Sequence, residues 1–376
     1  MKNTLLILGL FCTIMLCLTS CKNELNVLAP SGEESVSVYG ILNPNDSVQT
    51  IRINKVYLPS GDALVAAQDA NQINYDSSEI RVSLERYLTG NSTPQLTTIG
   101  NSNKQEILLT AKQINTPSGV FNQSQMIWQT TDKLYSNGNY KLIIKIKKTG
   151  REITAITNMI DSVKSNSKPF IYHPTYYPSH GNYITTGSNP TPQNAYIDYS
   201  TLTATQKIKF NSIANAKLYN VVLRFHYIDS LLTGTTNTGY VDYQFSELKS
   251  TTLLGGEALE VSFLANDFYS NLGNEMAKKI TSNINNRRSH YLEYIIKAGA
   301  ESLNTFLLVN QPSNTIAQDK PNYTNINGGI GIFSSSSRSM ITHDMWNDFI
   351  DKIACHPSTN PFGFCNSAGK KTNICK

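Results

Sequence analysis

Tyr219-Asn220-Val221-Val222-Leu223-Arg224-Phe225-His226-Tyr227 decides the fold class. Tyr219, Val221, Leu223, Phe225 and Tyr227 recur every second position, and Asn220, Arg224 and His226 stand among the residues between them. In an extended chain successive side chains point to opposite faces, so this pattern is a half-buried strand. Around it, Ile208 with Phe210, Tyr240 to Phe245, Leu259 to Phe263 and Tyr291 to Ile296 continue the rhythm. One helix interrupts it: Phe268, Leu272, Met276, Ile280 and Ile284 recur every fourth residue. Asn266 is its expected N-cap, and Arg287 and Arg288 are expected at its C-terminal end, where the helix dipole favours cations.

The region from Ser35 to Asp161 reads the same way. Val36 to Leu42 is an apolar run, Asn43-Pro44-Asn45-Asp46 is a turn, and Val48 to Val56 resumes the strand, which together make a hairpin. Ile80, Val82 and Leu84 alternate, as do Tyr140, Leu142, Ile144 and Ile146. Glu106 to Leu109, Gln125 to Gln129 and Glu152 to Thr157 complete a set of strands that fits an immunoglobulin-like sandwich. Between the second and third strands, Gly61 to Ala70 reads as a short helix or compact loop with Asp62 as its cap. Asp69, Asn71 and Asp76 lack the glycine and closing glutamate of an EF-hand and read as a polar surface turn.

From Ser162 to Ala204 the prolines Pro169, Pro174, Pro178, Pro190 and Pro192 leave no room for a regular element. Within this stretch Phe170 to Pro178 concentrates aromatic side chains on a proline-stiffened path. Tyr172, Tyr176 and Tyr177 are the candidate contact surface for a glycan or partner protein; the competing reading is a linker pinned to its neighbours by its own rings. Gly328-Gly329-Ile330-Gly331 precedes Ile332 and Phe333 without the Lys-Ser/Thr of a phosphate loop, so these glycines are expected to let a strand pass close to a neighbour. Thr342 is expected to open a last helix with Trp346, Phe349, Ile350 and Ile353 on one face and Cys355 at its end.

The chain of 376 residues carries a net charge of +5 and is 16% charged. That excess is scattered, which argues against a nucleic-acid partner. Lys2 followed by the apolar run Leu5 to Leu18 reads as a secretory signal, too short for a comfortable membrane span. Leu18-Thr19-Ser20-Cys21 closes it as a lipobox does, which implies cleavage before Cys21 and lipidation of its sulfur. The lipid would be the membrane attachment. Cys355, Cys365 and Cys375 stand together at the end of the chain, and in an oxidising compartment two of the three are expected to pair. With His356 they could be drawn as a metal site, but the short C-x₂-C unit of a zinc corner is missing, so no metal is expected.

No G-x-S-x-G elbow, H-E-x-x-H helix, S-x-x-K or Walker loop occurs, so no catalytic residue and no cofactor is assigned and the chain is not read as an enzyme. The lipobox, the opening Val36-Ser37-Val38-Tyr39-Gly40-Ile41-Leu42-Asn43-Pro44 with Val48 to Ile53, and the closing run Tyr323 to Phe333 resemble a family of Bacteroidota lipoproteins carrying a domain of unknown function. Members are often encoded near TonB-dependent receptors. The resemblance implies an outer-membrane address and an accessory role in uptake, with no functional residues to carry over. Lys22-Asn23-Glu24 only faintly resembles an acidic surface-export tag, so the leaflet stays open.

The expectation is a mainly β lipoprotein of two immunoglobulin-like or fibronectin-like β-sandwich domains with a few short helices. Residues 1–20 are the signal peptide, 21–34 a tether and 35–161 the N-terminal sandwich. Residues 162–204 are a Pro/Tyr-rich linker, 205–340 a second sandwich with an inserted helix, and 341–376 a C-terminal helix and cysteine-containing tail. Its expected work is non-catalytic binding or scaffolding beside a TonB-dependent receptor. A glycan-binding surface lipoprotein and an enzyme with an unrecognised site are the alternatives.

Overall fold

The computed structural model describes residues 35–56, 65, 68–88, 95–97, 105–115, 117, 124–136, 138–161, 196–279, 282–311 and 322–371. It is mainly β. The first strands are β1 (Ser35–Leu42), β2 (Gln49–Val56), β3 (Ile80–Leu88), β4 (Gln95–Thr97), β5 (Glu106–Leu108), β6 (Thr110–Asn115), β7 (Ser124–Thr130), β8 (Asn139–Ile146) and β9 (Glu152–Asn158). A single-turn helix, α1 (Ala70–Ile73), precedes β3 and is capped by Asp69, whose carboxylate accepts from the Asn71 N–H. Asp76 likewise accepts from the Ser78 N–H, so both acidic side chains act within their own turns.

The later strands are β10 (Thr205–Asn211), β11 (Ala216–Leu231), β12 (Thr236–Gln244), β13 (Leu248–Lys249), β14 (Ala258–Leu264), β15 (Ile284–Ala300), β16 (Ile326–Asn327) and β17 (Ile330–Asp344). Helix α2 (Ala265–Ala277) follows β14, α3 (Glu301–Asn310) follows β15 and α4 (Asn347–Cys355) follows β17. Among the described residues no helix is long and apolar enough to cross a membrane.

One large sheet runs through the structure in the order β12-β11-β15-β17-β1-β2-β7-β6, with β13 beside β11. A second sheet, β16-β9-β8-β3-β4 with β5 beside β3, packs against one half of it. Between these layers lie Val36, Val38, Ile51, Ile53, Val82, Leu84, Trp128, Leu142, Ile144, Ile153 and Phe333, all buried. Each such side chain contributes about 1.5–3 kcal/mol when taken from water. The other half of the large sheet presents Tyr219, Val221, Leu223, Phe225, Leu292, Tyr294 and Ile296 to a second core, covered by the ribbon β10-β14 and by α2 and α4.

β17 joins the halves. Residues 330–335 pair parallel with β1, and residues 336–344 pair antiparallel with β15. Two glycines at the start of this strand make the close approach: a Cβ on Gly329, just ahead of it, would stand 2.6 Å from the Val36 carbonyl oxygen, and one on Gly331, its second residue, would stand 2.0 Å from that of Val38. Gly331 also holds φ at 110°, which side chains other than hydrogen rarely tolerate. Asn325 finishes the strand edge, its Nδ2 donating to the Phe333 carbonyl while its Oδ1 accepts from the Phe333 N–H. Ile326 and Phe333 therefore belong to the first core, although they lie more than 160 residues after its other strands.

The helix expectations shift in two places. α2 ends at Ala277, Asn283 turns the chain with φ at 66°, and Ile284 begins β15. Arg287 and Arg288 therefore stand in a strand and not at a helix end. Its N-cap is Leu264, whose backbone N–H donates to Asp267 in the first turn, and not Asn266. Thr342 lies in β17, and α4 starts five residues later with Phe349 and Ile353 buried.

Candidate functional site

The outward face of β12, β11, β15 and β17 carries the densest chemistry among the described residues. Because β11 buries Leu223, Phe225 and Tyr227, alternation turns Arg224 and His226 the other way. Strand pairing then assembles what the sequence scatters. Asp242, Arg224, Glu293 and Thr342 stand opposite one another across four strands, and Tyr240 stands opposite His226.

A register shift sits at the same place. Phe225 pairs with Leu292 but Tyr227 pairs with Ser289, so His226 faces two residues, His290 and Tyr291. Such a bulge places an extra side chain on one face and raises local twist. His226 stacks on Tyr291 with ring centroids 4.1 Å apart, and His290 meets Tyr291 edge-on at 4.6 Å.

The polar groups hold one another in place. Arg224 donates from Nε and Nη2 to the two oxygens of Asp242, at 2.7 and 2.9 Å, and its guanidinium lies 3.9 Å from the Tyr240 ring centre. The Asp242 carboxylate raises the already high Arg224 pKa, so the guanidinium stays charged. Glu293 accepts from His226 Nε2 at 3.1 Å and lies 3.9 Å from Arg224 Nη1. Partly exposed pairs of this kind contribute about 0–1 kcal/mol each to stability, so their main effect is to fix geometry. Tyr240 keeps 49% of its surface exposed. α3 packs against the same sheet nearby, with Ser302 hydrogen-bonded to Ser334 and Phe306 meeting Tyr39 edge-on.

The residues singled out from sequence are distributed differently. Cys21, Tyr172, Tyr176, Tyr177 and Cys375 lie outside the described residues. Cys355 is disulfide-bonded, whereas Cys365 is a buried free thiol. His356, next to Cys355, stacks on Tyr269 and donates from Nε2 to Asn266 Oδ1, while its Nδ1 accepts from the Ser358 N–H. Both ring nitrogens are thus used in a neutral imidazole, and burial lowers its pKa. Among the described residues no group of three or more His, Cys, Asp or Glu side chains is arranged to hold a metal ion.

In the sequence, Arg224 and His226 are only the polar half of an alternating strand. Their partners Tyr240, Asp242, Tyr291 and Glu293 sit on two other strands. The usable signal was the run of charged and aromatic residues at outward positions of all three strands. No family model matches the chain, and no curated protein matches it.

Proposed function

We propose that this chain is a non-catalytic lipoprotein, anchored to the outer membrane through Cys21, that works as a binding or scaffolding module accessory to a TonB-dependent uptake system. The observation that carries the binding role is the outward array of Arg224, His226, Tyr240, Asp242, Tyr291 and Glu293. Rings and charges are held in fixed positions on paired strands, which is how a recognition surface lowers the entropy cost of binding. Asp242 and Glu293 are both engaged by Arg224 and His226 instead of standing as a free acid and base. The leader Leu18-Thr19-Ser20-Cys21 supports the membrane address.

Fractionation and co-purification test this reading together. A tagged full chain is expected in the membrane fraction, and Cys21→Ala is expected to release it. From detergent-solubilised membranes the anchored protein should bring down a stoichiometric membrane receptor. Retention of Cys21→Ala in carbonate-washed membranes would refute the anchor, and purification without any companion would count against the accessory role.

A further inference from the structure

We infer that β12 is the contact through which two copies of this chain join, each adding its strand to the other's large sheet. β12 ends that sheet. The direction of its backbone groups follows from its pairing with β11, in which the Leu231 N–H donates to the Thr235 carbonyl and the Phe245 N–H to the Val221 carbonyl. Antiparallel bonding repeats every second residue, so Asn237, Gly239, Val241 and Tyr243 face β11, whereas Thr236, Thr238, Tyr240 and Asp242 turn their backbone groups away from it. Asn271 of α2 agrees with this direction, since its Nδ2 donates to the outward Asp242 carbonyl. Among the described residues the outward N–H and C=O groups of Thr236, Thr238 and Tyr240 meet no partner, and all three residues are exposed.

An open edge is a template for another strand, and sheets guard their edges with charges, proline or brevity. The other described edges are guarded. β6 carries Lys112, β10 carries Lys207 and Lys209 beside Glu260 of β14, and β4 and β16 are three and two residues long. From Thr236 to Val241, β12 has neither charge nor proline. The same stretch complements itself. With a two-fold axis at Thr238, that residue faces Thr238 of the second copy and Thr236 faces its Tyr240, each pair exchanging both backbone bonds. Thr–Thr and aromatic–β-branched pairs are favourable cross-strand neighbours. Asp242, already held by Arg224, falls opposite Gly234 of the second copy, so no like charges meet. One surface therefore satisfies all of its own open groups, which commits the edge to a second copy.

Two full-length copies with different affinity tags, co-expressed and purified in detergent through the first tag, test this. Wild-type copies are expected to bring down the second tag. Thr238→Lys in both copies sets like charges across the axis and should lower that recovery by about tenfold or more. Thr238→Lys in one copy with Thr238→Glu in the other should restore it, because the residue meets its own counterpart. Each variant should still unfold cooperatively, since Thr238 is exposed. Absence of the second tag from wild type, equal recovery with Lys in both copies, or no restoration by the Lys–Glu combination would overturn the inference. A membrane companion lost on Thr238→Lys, with no second copy recovered from wild type, would give the edge to a strand of that companion and likewise overturn it.

Discussion

Arg287, with 1% of its side chain exposed, donates from Nε and Nη2 to the two carboxylate oxygens of Asp229, at 2.6 and 2.9 Å. A third bond runs from Nη1 to the Phe362 carbonyl, and the Tyr227 and Phe364 rings lie 5.0 and 5.5 Å from the guanidinium. The Arg287 carbonyl in turn accepts from the Cys365 N–H. One side chain thus ties β15, β11 and the C-terminal segment together.

Removing one partner of that pair leaves the other charge buried. Arg287→Met is therefore expected to cost about 3–5 kcal/mol, and the double change Arg287→Met with Asp229→Leu to recover most of it. Urea denaturation of the three proteins checks this. A single variant within about 1 kcal/mol of wild type would show that the pair is solvated.

The junction between β1 and β17 makes a second prediction. Gly331→Ala must fit a Cβ against the Val38 carbonyl at a positive φ, whereas Gly150, at φ 72°, has nothing within 4 Å of its would-be Cβ. Gly150→Ala is expected to cost about 1 kcal/mol from the dihedral alone, and Gly331→Ala clearly more. Equal losses in urea midpoint would contradict the close parallel pairing.

The strands were legible because each is a local pattern. Each of the seven runs in residues 35–161 coincides with a strand, Val48 and Leu109 alone falling one residue outside β2 and β5, and β11 was visible from Tyr219 to Tyr227 alone. The double pairing of β17 was not, because parallel partners separated by nearly the whole chain share no local signature. The helix stripe was read too far because Ile280 and Ile284 keep the spacing of four while Asn283 breaks the backbone direction. The outward site escaped for the same reason as β17: its residues meet only across strand pairs, and the bulge that adds His290 exists only in the pairing with β11.

Titration should bracket the stability of the protein. Burial raises Tyr140 to about 12, and raises Tyr199, Tyr269 and Tyr294 beyond the ordinary phenol range. The unfolded phenols ionise near 10 while the folded ones stay protonated, so stability is full below pH 10 and falls as pH rises from 10 through 12, by about 1.4 kcal/mol per pH unit for one such group. His356 acts in the opposite sense: its depressed folded pKa makes stability full above about 6.5 and lets it fall as pH drops below that value. Denaturation midpoints across pH 5–11 check both limbs. A midpoint that holds level from pH 10 to 11 would contradict the burial of these phenols.

The cysteines should differ in reactivity. Cys365 is expected to resist alkylation in the native protein and react after denaturation, whereas Cys355 should react only after reduction as well. Peptide mass spectrometry of alkylated protein reads this directly, and native labelling of Cys355 without reductant would contradict the disulfide.

The central claim is that the outward sheet face is a recognition surface and not merely a solvated one. Replacing Tyr240 and Tyr291 together by Ser, beside a control pair changed at the exposed Ile156 and Leu254, puts it to the test in one binding assay run with a thermal melt. The face variant is expected to lose binding of its membrane receptor by about tenfold or more while the control keeps it, with both still unfolding cooperatively. Unchanged binding by a folded face variant would contradict the account.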